Sequence, residues 1–520
     1  MSKRLIIILA LAFVVGVGFS AYAEVQNVKV SGDIESMAVF RSTFDLKGKA
    51  ARPGPTDYVG TYMQQGTSSN FFVTIARARI DADLTDNVSA TLRLIGEWNW
   101  GKEDTGPIPR DADTSVDIDL AYVTLKEFLY SPLTLIVGRQ ELHYGNDMII
   151  GDPDTNMYSV AGNIAGDLSK RKAFDAIRAI LNYDPLTVDL VYTKVNATAL
   201  LNTGAQLRFG IPSLRDINNA YVERAGDRLD DDTDLFGINA KYDLGRKNTT
   251  VEGYYWYRRI GPRAFSSWIT SLIGGTPGLD YKSDTLHTFG ARVVSQPVEN
   301  LTVQVEGALQ RGQANLFTDL DLVGVPLGSG PNHAERRAWA VETAVTYDWK
   351  KVKYTPSLTA MYAYFSGEDG SWDPWHTKRW RGWDPMFENQ TFGAIANALF
   401  PQSGVQLMGL AASMKPKEDI TAKLEYYYYR FTSNPGLCAT YGAGSPGYMV
   451  PTYYYNALSP NLTKGDNKNA GQELDVTLTY DYTEDVQFNL LSGVFWPGGA
   501  FADDNARTAS EVIGSMKVTF

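Results

Sequence analysis

Arginine recurs along this chain where polar and apolar residues alternate: Arg77 and Arg79, Arg93, Arg139, Arg178, Arg292 and Arg311, joined by Lys423. Arg258 and either Arg336 or Arg337 extend the series. A guanidinium is permanently charged, and its planar fork pairs with a carboxylate through two parallel hydrogen bonds. A row of such forks in a narrow aqueous passage with low-dielectric walls favours anions. Acids share the same polar positions, among them Asp81, Asp83, Glu97, Asp117, Asp119, Asp175, Asp189, Glu252, Glu306, Glu425, Glu473 and Asp475. Arginines and acids on neighbouring strands also make cross-strand pairs that only hold a polar interior together. Selectivity therefore needs some cations left unpaired where the passage narrows.

A second candidate lies in residues 367–402, where Trp372, Trp375, Trp380 and Trp383 interleave with Lys378, Arg379 and Arg381. Indole faces stack on sugar rings and the cations pair with uronate carboxylates, a combination suited to guiding an acidic glycan. Such a loop serves equally as a folded-in constriction or an aromatic girdle, and Tyr426 to Tyr429 reads as an interface belt. Catalytic motifs are missing: the sequence has no Gly-x-Ser-x-Gly elbow, no His-Glu-x-x-His helix and no Cys-x-x-Cys pair. His143, between Glu141 and Asp147, reads as a polar rim residue. The four histidines show no metal spacing, and Cys438 alone forms no disulfide framework. The sequence predicts a chain that is not an enzyme and needs neither metal nor cofactor.

These side chains must be positioned by strands. About eighteen segments alternate with the period of two and the length of roughly 9 to 14 residues that a tilted membrane crossing requires. They span 27–41, 71–84, 88–100, 116–129, 132–140, 172–183, 186–196, 232–243, 248–259, 284–295, 300–311, 335–348, 352–366, 403–414, 418–431, 470–482, 485–495 and 510–520. In 88–100, Leu92, Leu94 and Trp98 oppose Arg93, Glu97 and Asn99; in 470–482, Leu474, Val476 and Leu478 oppose Glu473, Asp475 and Thr477. Short joins such as Thr85-Asp86-Asn87, Asp184-Pro185 and Lys415-Pro416-Lys417 alternate with long segments at 42–70, 101–115, 141–171, 197–231, 260–283, 312–334, 367–402, 432–469 and 496–509. The pattern predicts an all-β, transmembrane antiparallel β-barrel with short periplasmic turns and long extracellular loops.

Both ends agree with that class. Lys3 and Arg4, the apolar run from Leu5 to Phe19 and Ala21-Tyr22-Ala23 form a secretory signal, predicted to occupy residues 1–23 and to leave one barrel domain at 24–520. The last strand places Val512, Gly514, Met516, Val518 and Phe520 on one face and Glu511, Ser515, Lys517 and Thr519 on the other. Losing the signal leaves 46 of 48 basic residues against 59 acidic ones, a formal charge of −13, which argues against nucleic-acid partners. The 30 tyrosines, 22 phenylalanines and 11 tryptophans suit aromatic girdles at two interfaces. The predicted location is the outer membrane of a Gram-negative bacterium, in contact with its lipid.

Leu133-Thr134-Leu135-Ile136-Val137-Gly138-Arg139-Gln140-Glu141-Leu142-His143-Tyr144-Gly145, followed by Ile149-Ile150-Gly151-Asp152, resembles the alginate export family of outer-membrane porins. Ile118 to Val123, Lys172 to Arg178 and Phe289-Gly290-Ala291-Arg292 fit the same pattern, so the strongest match covers roughly 115–180. The resemblance implies an eighteen-stranded monomeric barrel whose arginine-rich constriction lets an anionic exopolysaccharide leave the periplasm. By that analogy Arg139 and Arg178 belong to the electropositive pathway, and Asp175 is the lumen acid that orders it. The family's alginate exporter gates itself with a long periplasmic turn, whereas each turn inferred here is short.

Three functions are therefore expected: a passive, anion-selective channel for an acidic polysaccharide or oligosaccharide, working with a periplasmic export scaffold; a general or small-anion porin; or a barrel that anchors interacting loops. No plug is expected ahead of the first strand, so whatever narrows the pore is expected to come from loops.

Overall fold

The computed structural model describes residues 26–44, 46, 68–101, 116–153, 166–195, 233–260, 283–315, 333–367, 379–399, 402–432, 467–501 and 506–520. The expected signal segment lies outside them. Nineteen strands form one sheet: β1 (Asn27–Ser42), β2 (Ser68–Thr85), β3 (Val88–Asn99), β4 (Val116–Leu125), β5 (Leu133–Glu141), β6 (Ala173–Asn182), β7 (Leu186–Val195), β8 (Thr233–Asp243), β9 (Thr250–Ile260), β10 (Asp284–Val298), β11 (Leu301–Asn315), β12 (His333–Asp348), β13 (Ser357–Phe365), β14 (Arg379–Trp380), β15 (Val405–Lys417), β16 (Ile420–Phe431), β17 (Asn469–Asp481), β18 (Val486–Pro497) and β19 (Ala509–Thr519). One six-residue helix, α1, spans Ala394–Leu399.

Each of the eighteen expected segments corresponds to one long strand. The long strands pair antiparallel with their neighbours, β13 passes directly to β15, and β1 pairs with both β2 and β19, so the sheet closes. The two-residue β14 lies parallel to β12 beyond the end of β13. At the seam Gly32 and Phe520 exchange backbone hydrogen bonds of 2.8 and 2.9 Å, and a Cβ on Gly32 would sit 2.7 Å from the Phe520 ring.

Eight connections at one end of the barrel are fully described. Two differ from expectation. The chain turns back at 126–132, with positive φ at Glu127 and Leu129, so β4 ends at Leu125 rather than 129. Residues 349–356 turn through positive φ at Tyr354 and Thr355 and a 2.9 Å bond from Trp349 N to Pro356 O, which delays β13 to Ser357.

The two faces of the wall sort as the alternation predicted. Ile34, Leu94, Leu309, Met408, Leu424, Val476 and Met516 are exposed on the outside. Rings gather at both margins of this apolar band: Tyr347 with Trp349 and Tyr480 with Phe488 on the turn side, Phe72 with Trp100 and Trp339 with Tyr364 on the other. Apolar surface flanked by aromatic girdles is what a barrel held in lipid presents.

The interior is less wet than the alternation implies. Toward the end opposite the turns it holds a buried apolar core, built from two chain segments that fold inward. Met148, Ile149 and Ile150 come from the connection after β5, and Trp383, Met386, Phe387, Ile395 and Leu399 from the stretch around α1. They pack on inward wall residues such as Phe174, Trp256, Leu286, Phe365 and Tyr429. At about 25 cal/mol per Å² removed from water, this apolar contact drives the insertion.

Candidate pore and its inserted segments

Cross-strand register places the inward side chains. On β1 and β2, Arg77 grips Asp33 with two bonds of 2.9 and 3.0 Å, and Arg79 grips Asp81 at 2.7 and 2.9 Å. Arg93 bonds Asp119 on β4 and Glu141 at the end of β5. Arg178 on β6 holds Asp189 on β7 at 2.8 Å, and its guanidinium lies 5.4 Å from the Tyr144 ring centre. Arg292 bonds Gln304 at 2.9 Å and lies 3.7 and 3.8 Å from Glu252 and Glu306; Lys423 pairs with Glu425 at 2.8 Å. These six sequence-predicted cations line the half of the lumen nearer the short turns. The structure brings them together as a chamber wall of ion pairs, not as an unpaired ring.

Two predicted cations and the predicted acid stand elsewhere. Arg139 and Asp175 are opposite each other across β5 and β6, 3.3 Å apart, and share the strand face of Val137 and Ile177. That face is the exposed outer one, because the alternate residues Phe174 and Gln140 are buried inside. The role that resemblance assigned to Arg139 and Asp175 is thus displaced to the outer surface. Arg311 likewise shares its face with exposed Val305 and Leu309, while Glu306, Ala308 and Gln310 point inward.

Of the four tryptophans, Trp372 and Trp375 lie outside the described residues. Trp380 and Trp383 are buried, and Trp383 packs near Phe365, so neither offers an open ring face to a sugar. The tyrosine belt also divides: Tyr426 is exposed outside, but Tyr427 and Tyr429 are buried inside. His143 pairs with Asp147 at 3.0 Å, a bond that raises its pKa and makes it a loop brace.

The acids reveal the arrangement that sequence reading missed. The inserted segments end in backbone N–H groups with no ladder partner, and wall carboxylates accept them. Gly145 N donates to Glu252 at 2.9 Å, Asn146 N to Glu306 at 2.7 Å, and the Tyr144 hydroxyl to Asp189 at 2.9 Å. Gly145 has φ of +64° and stands so close to Glu306 that a Cβ would lie 2.3 Å from its Oε1. At the start of α1, Ala394 N donates to Asp475 at 3.1 Å, and Ile395 N and Ala396 N to Glu473 at 2.6 and 2.8 Å. Gln390 and the Asn146 side chain meet on Glu342 at 2.7 and 3.2 Å. The segments also hold each other: Gly151 N donates to Phe387 O, Phe387 N to Ile149 O, and Asn389 N to Asp147 O, at 2.7, 3.0 and 2.9 Å.

Asp384 is the strongest single anchor. Buried on the second segment, it takes bonds of 3.0 and 3.2 Å from Arg258 on β9 and Arg336 on β12, and exchanges backbone bonds with the Gln310 amide. Burial opposes its ionisation, but the two guanidiniums overcome that and bring its pKa to about 2. Nearby Glu388 is the contrary case, since burial pushes it up to about 8, with Asp152 and Asp147 adding to the shift and Lys172 opposing it. Glu388 is held as the neutral acid while docked and ionises once released. Docking is therefore expected to weaken as pH rises from about 4.5, its ordinary value, through about 8. Conductance recorded from pH 5 to 9 should increase over that window, and Glu388→Gln should flatten the increase; an unchanged slope in the variant would contradict it.

A closed ring of membrane-length strands, apolar outside and charged within, defines an outer-membrane β-barrel channel. The chain belongs to the alginate export family, whose sequence profile matches residues 218–515. Among solved structures it is similar to Pseudomonas aeruginosa OccK2 (OpdF) in complex with glucuronate, at 10% identity over 95% of this chain and 99% of that chain, with a TM-score of 0.47. It is similar also to P. aeruginosa OccK8 (OprE), at 9% identity over 95% and 98%, TM-score 0.47. No curated protein sequence matches it.

Proposed function

We propose that this channel passes anionic solutes of the acidic oligosaccharide or polysaccharide class down their gradient, with the chamber cations setting the sign preference and the inserted segments setting the aperture. The observation that carries this reading is the unequal exposure within four of the chamber pairs, the exceptions being Arg79 with Asp81 at 35% and 34% and Arg93 with Glu141 at 11% and 34%. Side-chain exposure is 26% for Arg178 against 4% for Asp189, 22% for Arg292 against 0% for Glu306, 46% for Lys423 against 16% for Glu425, and 19% for Arg77 against 13% for Asp33. An anion in the chamber meets guanidinium and ammonium faces, while Asp189, Glu252 and Glu306 are occupied by the inserted segment. The pairs of Arg258 and Arg336 are buried on both sides and serve as struts.

Family membership supports the glycan class. A polyuronate carries one carboxylate per sugar, a spacing that forks along a wall can engage in succession. A polymer would enter from the turn side, handed over by a periplasmic scaffold. The second reading, a channel for small anions alone, is favoured by the apolar core that the inserted segments build across the lumen, which a polymer must displace.

Planar-bilayer recording tests both. An anion-selective reversal potential with polyuronate block supports the first reading, and anion current without block the second. Cation preference, or absence of current, would refute the proposal.

A further inference from the structure

The outer surface carries a charged tier that neither the pore nor the aromatic girdle explains. On β7 to β12, at the end away from the turns, register stacks the outward residues in levels. Leu190, Ile238, Tyr255, Phe289, Leu309 and Trp339 pair in sequence around the wall as an apolar level. One step farther from the turns come Tyr192, Phe236, Tyr257 and His287, with ring centres 4.8, 6.3 and 4.7 Å apart in succession. Arg311 is opposite His287 at this level and Arg337 is opposite Arg311. A further step brings Lys194, Asp234 and Arg259 into register, with Glu335 beside Arg379.

Among the described residues this sector thus sets five cations against two acids. Asp234 lies 3.9 Å from both Lys194 and Arg259, and Glu335 forks with Arg337 at 2.9 and 3.0 Å. The outer face of a barrel touches lipid, where a guanidinium at hydrocarbon depth is costly. One at or above the ring level meets headgroups instead. The order of apolar, aromatic and cationic levels places the cations at phosphate height, where Arg311 and Arg337 are opposite each other in register, Arg337 forked onto Glu335 and Arg311 donating to Gln310 O.

We propose that this sector of β7 to β12, with β14, binds the phosphate of a lipid headgroup in the leaflet facing the end opposite the turns. The inference depends on the barrel lying in the membrane and is independent of the solute. Purified full-length protein in detergent would be titrated with diphosphorylated lipid A, with its dephosphorylated form and with inorganic phosphate, and retained lipid counted by native mass spectrometry. Diphosphorylated lipid A should bind at least tenfold more tightly than the dephosphorylated form, and R311Q/R337Q should lose that difference while keeping the heat-modifiable migration of a folded barrel. Equal binding of both lipids, or an unaltered preference in the variant, would overturn the proposal by leaving acyl contact as the whole interaction. Displacement of lipid A by millimolar inorganic phosphate would overturn it in favour of a free-anion site.

Discussion

Asp384→Ala should open the channel, raising single-channel conductance several-fold while the barrel stays folded. The substitution removes a carboxylate shared by two buried guanidiniums, Arg258 and Arg336, and leaves them Asp284. Breaking a buried ion pair from one side costs about 3–5 kcal/mol. The strands carry their own ladders, so that cost falls on the docking of the second segment. Conductance measured beside heat-modifiable migration on gels separates an opened pore from a broken barrel. Asp384→Ala with wild-type conductance would show that the apolar contacts of Trp383, Met386 and Phe387 suffice without the strut. Neutralising the whole cluster, with Asp384→Ala, Arg258→Met, Arg336→Met and Asp284→Asn, should restore much of the closure, because none of these charges is then left buried without its counter-ion.

Reversing the chamber charges together, as Arg77→Glu, Arg93→Glu and Arg178→Glu, should shift permeability toward cations by about tenfold, equivalent to about 1.4 kcal/mol. Each reversal also sets two acids together, Asp33, Asp119 and Asp189 being the abandoned partners. Reversal potentials in a salt gradient give the readout. Arg139→Glu is the control that gives the argument its edge, because its side chain stands on the outer face: the same change of charge there should leave ion preference untouched. A shift from Arg139 as large as that from Arg178 would reject the sidedness assigned to β5.

Much of this molecule is legible in its sequence. Arg93, Glu97 and Asn99 fall on odd positions against Leu92, Leu94 and Trp98 on even ones, and that parity alone placed β3 and its faces. Parity also contained what the family resemblance obscured. Asp175 and Arg178 are separated by three residues, an odd step that sends them to opposite faces of β6, so they could never share one lumen site. Tyr427 and Tyr429 were likewise one step out of phase with Tyr426.

The inserted segments were not readable in the same way, because nothing local in a connection states where it packs. Their signal was indirect: Met148-Ile149-Ile150 and Met386-Phe387 are apolar runs inside connections, with no lipid-facing parity to account for them. A further signal was the number of acids on the inward faces. Paired with cations alone they look redundant; as acceptors for the N–H groups of Gly145, Asn146, Ile395 and Ala396 they are not.

The mutual grip of the two segments has a last consequence. Ile149 and Gly151 bond Phe387 as a short parallel bridge, so each segment supplies part of the surface on which the other rests. Withdrawal of one strips the other of its neighbours and exposes apolar side chains to water, which makes a half-retracted arrangement worse than either extreme. Segments that leave the lumen should therefore leave together, and single-channel records should show two current levels and not a graded series.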